Sequence, residues 1–336
     1  LDQPPALSAT REGPAPVLPM SIYTTRQYKN LYRADTITLD PHKTGYLPYP
    51  AGALVYRNGA MRSLISFEAP YVNPDAGDNE LVIGSYGIEG SKPGAAAAGV
   101  YLSHAVIRPT RAGYGKILGR TLYNTKLFHL KLLGMNDPSE SFTVVPVPYI
   151  HMKEGALAKY TNEKEALDAI HSFIDNKSHK QIWSDDDALE HLRELGADLN
   201  ILTYAFNYRQ NGVLNQDLAA ANAFNKRLYQ QLGVKFDGRQ IQDYDVIVST
   251  TDFKKETYGE TFFNDYKRRL LDLASAPNNK DEKFITVMRS VIMDPWLAED
   301  AGGKLFIDTV IEELRAVLHR TLKEMAAEQS LGVPLN

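Results

Sequence analysis

Between Thr36 and Val55 the chain reads TITLDPHKTGYLPYPAGALV, and its prolines and glycines leave the backbone few options. Ile37 and Leu39 alternate with Thr36, Thr38 and Asp40, the period-two pattern of a strand. Pro41 lacks the N–H that a sheet ladder needs, so the strand ends there. Gly45, Pro48 and Pro50 impose turns before Ala51–Tyr56 resumes as a second strand. Lys43 is thereby carried on a connection at a strand end. A lysine held half out of water there has its charged form disfavoured by desolvation, and the neutral amine is the form that attacks an aldehyde. On spacing alone, an ordinary lysine in a turn satisfies the same pattern.

Composition narrows the possible partners. The 336 residues give room for two ordinary domains or one large one. An apolar content of 43% against 23% charged residues is that of a globular chain. The formal charge of −4 gives no reason to expect nucleic acid or an anionic membrane surface as partner. No apolar run approaches the roughly 18–20 residues of a membrane-spanning helix. The chain has no cysteine, which removes disulfides and thiolate metal sites and suits a reducing, cytoplasmic setting. Its eight histidines are scattered, His171 and His179 are too far apart for one helical turn, and no HExxH occurs, so no metal site is expected.

Residues 1–20 hold five prolines in no clear pattern and are expected to be a mobile linker. Beyond the Lys43 region, residues 61–74 read as a loop and Gly84–Pro93 is glycine-rich. Helices are expected at Gly94–Ile107 and Tyr114–Leu133; the second, with apolar residues at Ile117, Leu118, Leu122, Leu127, Leu130 and Leu133, reads as a long amphipathic helix. From Phe142 onward strands and helices alternate. Strands are expected at Thr143–Val147, Leu199–Phe206, Tyr244–Thr250 and Phe284–Met293. Helices are expected at Glu163–Asp175, Asp186–Leu195 with Ser184 as cap, Leu214–Leu232 ended by Gly233, and Lys304–Glu324.

The segment Asp40-Pro41-His42-Lys43 resembles the lysine motif of the group II pyridoxal-phosphate amino-acid decarboxylases, most similar within that group to the bacterial tyrosine-decarboxylase branch. The similarity continues through GYLPYPAGALVYRN, SFEAPYVN, GSYGIEGSKPGAAAAGVYLSHAVI and GYGKILGRTL, and returns as FITVMRSVIMDPW, so it spans most of the chain from about Met20 onward. It implies an α/β chain forming the C-terminal part of a fold-type-I enzyme dependent on pyridoxal 5′-phosphate. Residues 21–133 would be the end of the large mixed-sheet domain with a bridging helix, and 134–336 a small C-terminal α/β domain. In that family an N-terminal portion supplies the aspartate for the pyridinium nitrogen, the ring stacked on the cofactor and much of the phosphate cup. The expected partners are therefore that portion, as a nicked fragment or a separate chain, and a two-fold dimer mate.

The same resemblance assigns roles. Lys43 would form the Schiff base with the cofactor, and His42 would help hold its phosphate region. Tyr71, in SFEAPYVNP, falls where the family carries a tyrosine on a mobile loop that protonates the substrate α-carbon after CO₂ leaves. Phenylalanine at that place marks relatives that make aldehydes, so tyrosine favours simple decarboxylation. Gly90 and Ser91 precede a helix start and offer backbone N–H groups and a hydroxyl to phosphate, in related enzymes that of the dimer mate. Arg289 interrupts an apolar strand and needs an anion, either a structural partner or the substrate carboxylate. Val291 lies near where tyrosine decarboxylases place a small polar residue beside the substrate side chain; the departure leaves phenylalanine, tryptophan or an acidic amino acid open. The implied reaction is decarboxylation of an aromatic, tyrosine-like L-amino acid to the amine and CO₂. Oxidative decarboxylation–deamination, a lyase reaction and a non-catalytic subunit are the alternatives. Gly113-Tyr114-Gly115 with Gly119 imitates a dinucleotide fingerprint, but no strand precedes it.

Overall fold

The computed structural model describes residues 17–66, 93–147, 152, 155–174, 177, 179–235, 238–275, 282–298, 300–301 and 304–330. Packing divides the chain into two units: Tyr23–Leu118, and Gly119–Asn336 together with the chain up to Ile22. The division falls inside one helix. Among the described residues no helix is long and apolar enough to cross a membrane.

The Tyr23–Leu118 unit is built from local elements. After helix α1 (Ile22–Lys29) come strands β1 (Thr36–Leu39) and β2 (Ala53–Tyr56), paired antiparallel with Ile37 opposite Val55 and Leu39 opposite Ala53. The β-branched run TITL forms β1, and the strand stops short of Pro41, as the missing N–H requires. Helix α2 (Gly94–Val106) follows, starting just after Pro93. Neither α1 nor α2 buries a residue, and β1 and β2 are open on both faces. Helix α3 (Tyr114–Leu133) has the bounds its apolar spacing predicts.

The second unit is organised around one sheet. In chain order it holds β3 (Phe142–Val147), α4 (Glu163–Ile174), α5 (His179–Ser184), α6 (Asp186–Arg193), β4 (Ile201–Gln210) and β5 (Val213–Leu214). Then come α7 (Leu218–Leu232), β6 (Ser249–Lys254), α8 (Lys255–Tyr258), α9 (Glu260–Leu270) and β7 (Phe284–Val291). The pair β8 (Asp300–Ala301) and β9 (Lys304–Leu305) precedes the terminal helix α10 (Phe306–Ser330). Strand order is β3-β4-β7-β6 with β5 on β4, every pair antiparallel. Alternation of strands and helices is thus met here by an antiparallel sheet. Leu202, Tyr204 and Phe206 of β4 and Met288 of β7 enter one core with Phe128, Phe224 and Leu318. Ala205, Ile285 and Val287 face the other side, against Phe263, Tyr266 and Leu270 of α9. Each such large apolar side chain contributes roughly 1.5–3 kcal/mol on full burial.

Where β4 and β7 part, helix α7 completes their ladders. Asn225 accepts from Phe206 N–H at 2.8 Å and donates to its carbonyl at 2.7 Å. Asn222 accepts from Thr286 N–H at 2.8 Å and donates to the Phe284 carbonyl at 3.1 Å. Buried backbone groups that would otherwise lose their partners are satisfied by amide side chains.

Several boundaries differ from the sequence expectation for identifiable reasons. The strand expected at Tyr244–Thr250 begins at Ser249, because Gln240 and Asp243 cap a short 3₁₀ turn over Ile241–Asp243 and Val248 is bonded to the end of α7. Helix α7 starts at Leu218: Val213–Leu214 turns back on β4, and Asp217 caps the helix through Ala219 N–H at 2.9 Å. Asp185, not Ser184, caps α6, accepting from Ala188 N–H at 3.1 Å. Helix α10 starts at Phe306 because Lys304–Leu305 pairs with Asp300–Ala301, and it runs on to Ser330.

The end of the expected linker is anchored. Leu18 is 1% exposed, its N–H bonds to the Gly119 carbonyl at 3.1 Å, and Ser21 is buried. Ser21 N–H donates to Asp198 at 3.0 Å, and its hydroxyl donates to the other carboxylate oxygen. Asp198 also pairs with Lys126 at 3.1 Å, and the Lys126 ammonium donates to the Leu195 carbonyl at 2.7 Å. Burial pushes the Lys126 ammonium below its usual range, with Asp198 opposing. Glu194 is pushed up by the same burial, against the pull of Arg193, whose Nε lies 2.9 Å away.

Candidate functional site

Lys43 sits on a turn that its own backbone closes. Lys43 N–H bonds to the Asp40 carbonyl at 3.0 Å, Tyr46 N–H to the Lys43 carbonyl at 2.9 Å, and Leu47 N–H to the Pro41 carbonyl at 3.2 Å. Gly45 is required by space: a Cβ there would stand 2.5 Å from the Pro41 carbonyl oxygen. Tyr46 follows in the left-handed region at φ 56°. The Lys43 ammonium pairs with the Asp40 carboxylate at 2.6 Å, and the Lys43 side chain is 61% exposed. Hydrogen bonding from Lys43 holds the Asp40 carboxyl below its ordinary value. The desolvation expected at this strand end is therefore not supplied by the described residues; an ion pair in contact with water stands there instead.

His42 is fixed from two sides. Its Nδ1 and its backbone N–H both meet the Ala51 carbonyl, and its ring lies on Tyr49 with centroids 3.9 Å apart. A carbonyl only accepts, so the proton is assigned to Nδ1 and Nε2 is left open to a ligand. A primary amine on a glycine-dependent turn, next in sequence to a fixed histidine, suits the aldehyde end of pyridoxal phosphate. Gly90 and Ser91, expected at the phosphate, and Tyr71, the expected proton donor, lie outside the described residues.

The turn is also held by side chains from elsewhere in its unit. The Tyr114 hydroxyl, at the first residue of α3, donates to the Gly45 carbonyl at 3.0 Å. Ser103 Oγ of α2 lies 2.6 Å from the same hydroxyl, and the His104 ring meets the Tyr114 ring edge-on at 5.6 Å. The sequence holds no sign of these contacts, since Tyr114 and Gly45 are 69 residues apart. The Asp40–Lys43 pair does leave a signal, an acid three residues before the lysine.

Arg289 and Val291 belong to the other unit, on β7. Arg289 stands in register between Thr203 of β4 and Ser249 of β6, so the three side chains share one sheet face. Among the described residues the Arg289 guanidinium has no hydrogen-bond or ion-pair partner, so the structural anion allowed by the sequence is not found there. Val291, opposite Ile201, is exposed at the strand end. Among the described residues no cluster of three metal-ligating side chains is gathered.

Residues 167–321 match the family model for the C-terminal region of tyrosine decarboxylase. The chain is 27% identical over 301 residues to an L-tyrosine decarboxylase of Enterococcus faecium, covering 88% of this chain and 40% of that protein. It is 29% identical to the L-tyrosine decarboxylase of Enterococcus faecalis, covering 89% and 39% of the two chains. A shorter match, 33% over 103 residues, is to an L-aspartate/L-glutamate decarboxylase of Pyrococcus horikoshii, covering 30% of this chain and 24% of that one. The chain thus spans about two fifths of the length of the tyrosine decarboxylases it matches. The matched C-terminal region and the tyrosine decarboxylase relatives support placing the chain in the group II pyridoxal-phosphate decarboxylase family, on its tyrosine-decarboxylase branch.

Proposed function

We propose that this chain is the lysine-bearing part of a cytoplasmic enzyme that decarboxylates an aromatic L-amino acid to its amine and CO₂, using pyridoxal 5′-phosphate. The observation that carries the reading is the Lys43 turn, which presents an amine at a strand end, next in sequence to a histidine whose ring is fixed. Bound pyridoxal phosphate supplies the electron sink for the pair released when the substrate carboxylate leaves.

The chain's residues supply the rest. Lys43 tethers the cofactor through its Nζ. That amine attacks in its neutral form, so its contact with Asp40 has to open before it reacts. His42 keeps Nε2 directed away from the Ala51 carbonyl and available to the cofactor region. Gly90 and Ser91 would hold phosphate oxygens, and the Tyr71 hydroxyl would deliver the proton to the substrate α-carbon. Arg289 would hold a substrate carboxylate, flanked by Thr203 and Ser249.

The same reading includes a partner. Leu39, Tyr49, Leu54, Val55, Tyr101 and Val106 are all exposed on the Tyr23–Leu118 unit. A two-stranded hairpin with apolar side chains left exposed is marginal in water, which supports a covering partner. We assign that role to the remaining polypeptide of the enzyme, as a further chain or fragment, and to a two-fold mate. The open Arg289 guanidinium also suits an acidic substrate side chain, which keeps aspartate or glutamate as the second reading.

Product analysis with a panel of L-amino acids tests both. Amine from tyrosine, phenylalanine or tryptophan is expected, and Tyr71→Phe should lose amine formation while retaining bound cofactor. Amine from aspartate or glutamate alone would establish the second reading. Aldehyde as the main product would replace simple decarboxylation by the oxidative route.

A further inference from the structure

We infer that Tyr114 is a positioning residue for the Lys43 amine, acting through the carbonyl of Gly45. The inference rests on the assignment of Lys43 above. Its basis is a chain of three groups from three elements: Ser103 on α2, the Tyr114 hydroxyl at the start of α3, and Gly45 on the lysine turn.

The polarity of this chain is fixed by its end. The Gly45 carbonyl can only accept, so the phenolic proton is committed to it, at 3.0 Å. The Ser103 hydroxyl, 2.6 Å away, then donates to the phenolic oxygen and sharpens its donation. Tyr114 is 7% exposed, so the phenol is not competing freely with water. The Tyr114 ring is also seated against His104, which limits where the hydroxyl points.

Gly45 is the right place to hold. It is two residues from Lys43, and its position against Pro41 already admits no side chain. The turn's own bonds run from Tyr46 and Leu47 back to Lys43 and Pro41, and so fix its curvature. They do not fix the turn against the helices. The Tyr114 hydroxyl does that, tying the turn to the first residue of α3. An amine on a four-carbon stem keeps a defined reach only when its backbone is fixed.

Tyr114→Phe removes the hydroxyl and keeps the ring, so the packing against His104 survives. Two measurements on the full-length protein separate the possibilities. Amide hydrogen exchange of residues 43–47 should rise about fivefold in the variant, the equivalent of one ordinary hydrogen bond, while exchange in β4 stays unchanged. The second uses pyridoxal 5′-phosphate itself: the amine condenses with its aldehyde, losing water, and borohydride reduces the C=N bond to a stable secondary amine. Peptide masses then report attachment at Lys43 relative to the exposed Lys164. Attachment at Lys43 should slow several-fold in Tyr114→Phe and less in Ser103→Ala, with the double variant no worse than Tyr114→Phe alone. Unchanged exchange at 43–47 would overturn the inference. So would raised exchange with attachment at full rate. If wild-type Lys43 shows no preference over Lys164, the assignment of Lys43 fails, while exchange still decides whether Tyr114 braces the turn.

Discussion

Lys126 and Asp198 form an ion pair at 3.1 Å with side-chain exposures of 0% and 2%, and Ser21 closes the same carboxylate with two hydrogen bonds. A charge pair so deep is stabilising only while both members and their hydrogen bonds are present. Asp198→Ala would strand a buried ammonium and release the Ser21 segment. It is expected to cost about 3–5 kcal/mol in urea denaturation and to open residues 17–22 to limited proteolysis. A loss under about 1 kcal/mol would show that water already reaches the pair.

His129 is the buried neutral counterpart of that pair. Burial, with Lys126 adding to it, lowers its pKa to about 3, from an ordinary value of 6.5. The unfolded chain therefore takes up a proton below pH 6.5 that the folded chain refuses until about pH 3. Stability is full above pH 6.5 and falls as the pH drops through that window, by up to about 1.4 kcal/mol per pH unit. His129→Phe should flatten this slope between about pH 6 and 4 relative to wild type. Denaturation midpoints across that range provide the check, and parallel slopes for the two proteins would refute His129 as the source of the acid sensitivity.

Asn225 satisfies both backbone groups of Phe206. Asn225→Leu keeps the volume and leaves a buried N–H and C=O unpartnered, at about 1–3 kcal/mol each. A loss of about 2–5 kcal/mol in thermal or urea unfolding is the expected result. An unchanged midpoint would mean that β4 and β7 close the gap themselves.

Gly45→Ala places a methyl group against backbone at Pro41, with no flexible side chain to give way. The Leu47 to Pro41 bond is expected to open, with attachment of pyridoxal phosphate at Lys43 falling at least tenfold, about the equivalent of 1.4 kcal/mol. Far-ultraviolet circular dichroism should be unaltered. Wild-type attachment in this variant would separate the turn's shape from the lysine's reactivity.

The parts legible in the sequence are those set by local rules. The end of β1 before Pro41 follows from a missing N–H, and the bounds of α3 follow from its apolar spacing. Helix α9 is harder to read although Phe263, Tyr266 and Leu270 carry the periodicity, because Gly259 and the charged run at Lys267–Arg269 obscure it. The shift of β6 is set by Gln240 and Asp243 closing a turn, a competition between side chain and ladder that composition does not reveal. At the candidate site, Lys43 and His42 are legible as a motif. The Tyr114 contact and the anchoring of Ser21 depend on distant segments meeting, and one sequence carries no record of that.

The most direct test of the central claim is to treat the full-length protein with pyridoxal 5′-phosphate, reduce it with borohydride and map the modified peptide by mass. The account predicts the pyridoxyl group on Lys43, and its loss in Lys43→Arg. Label distributed over exposed lysines such as Lys164, with Lys43 unmodified, would contradict it.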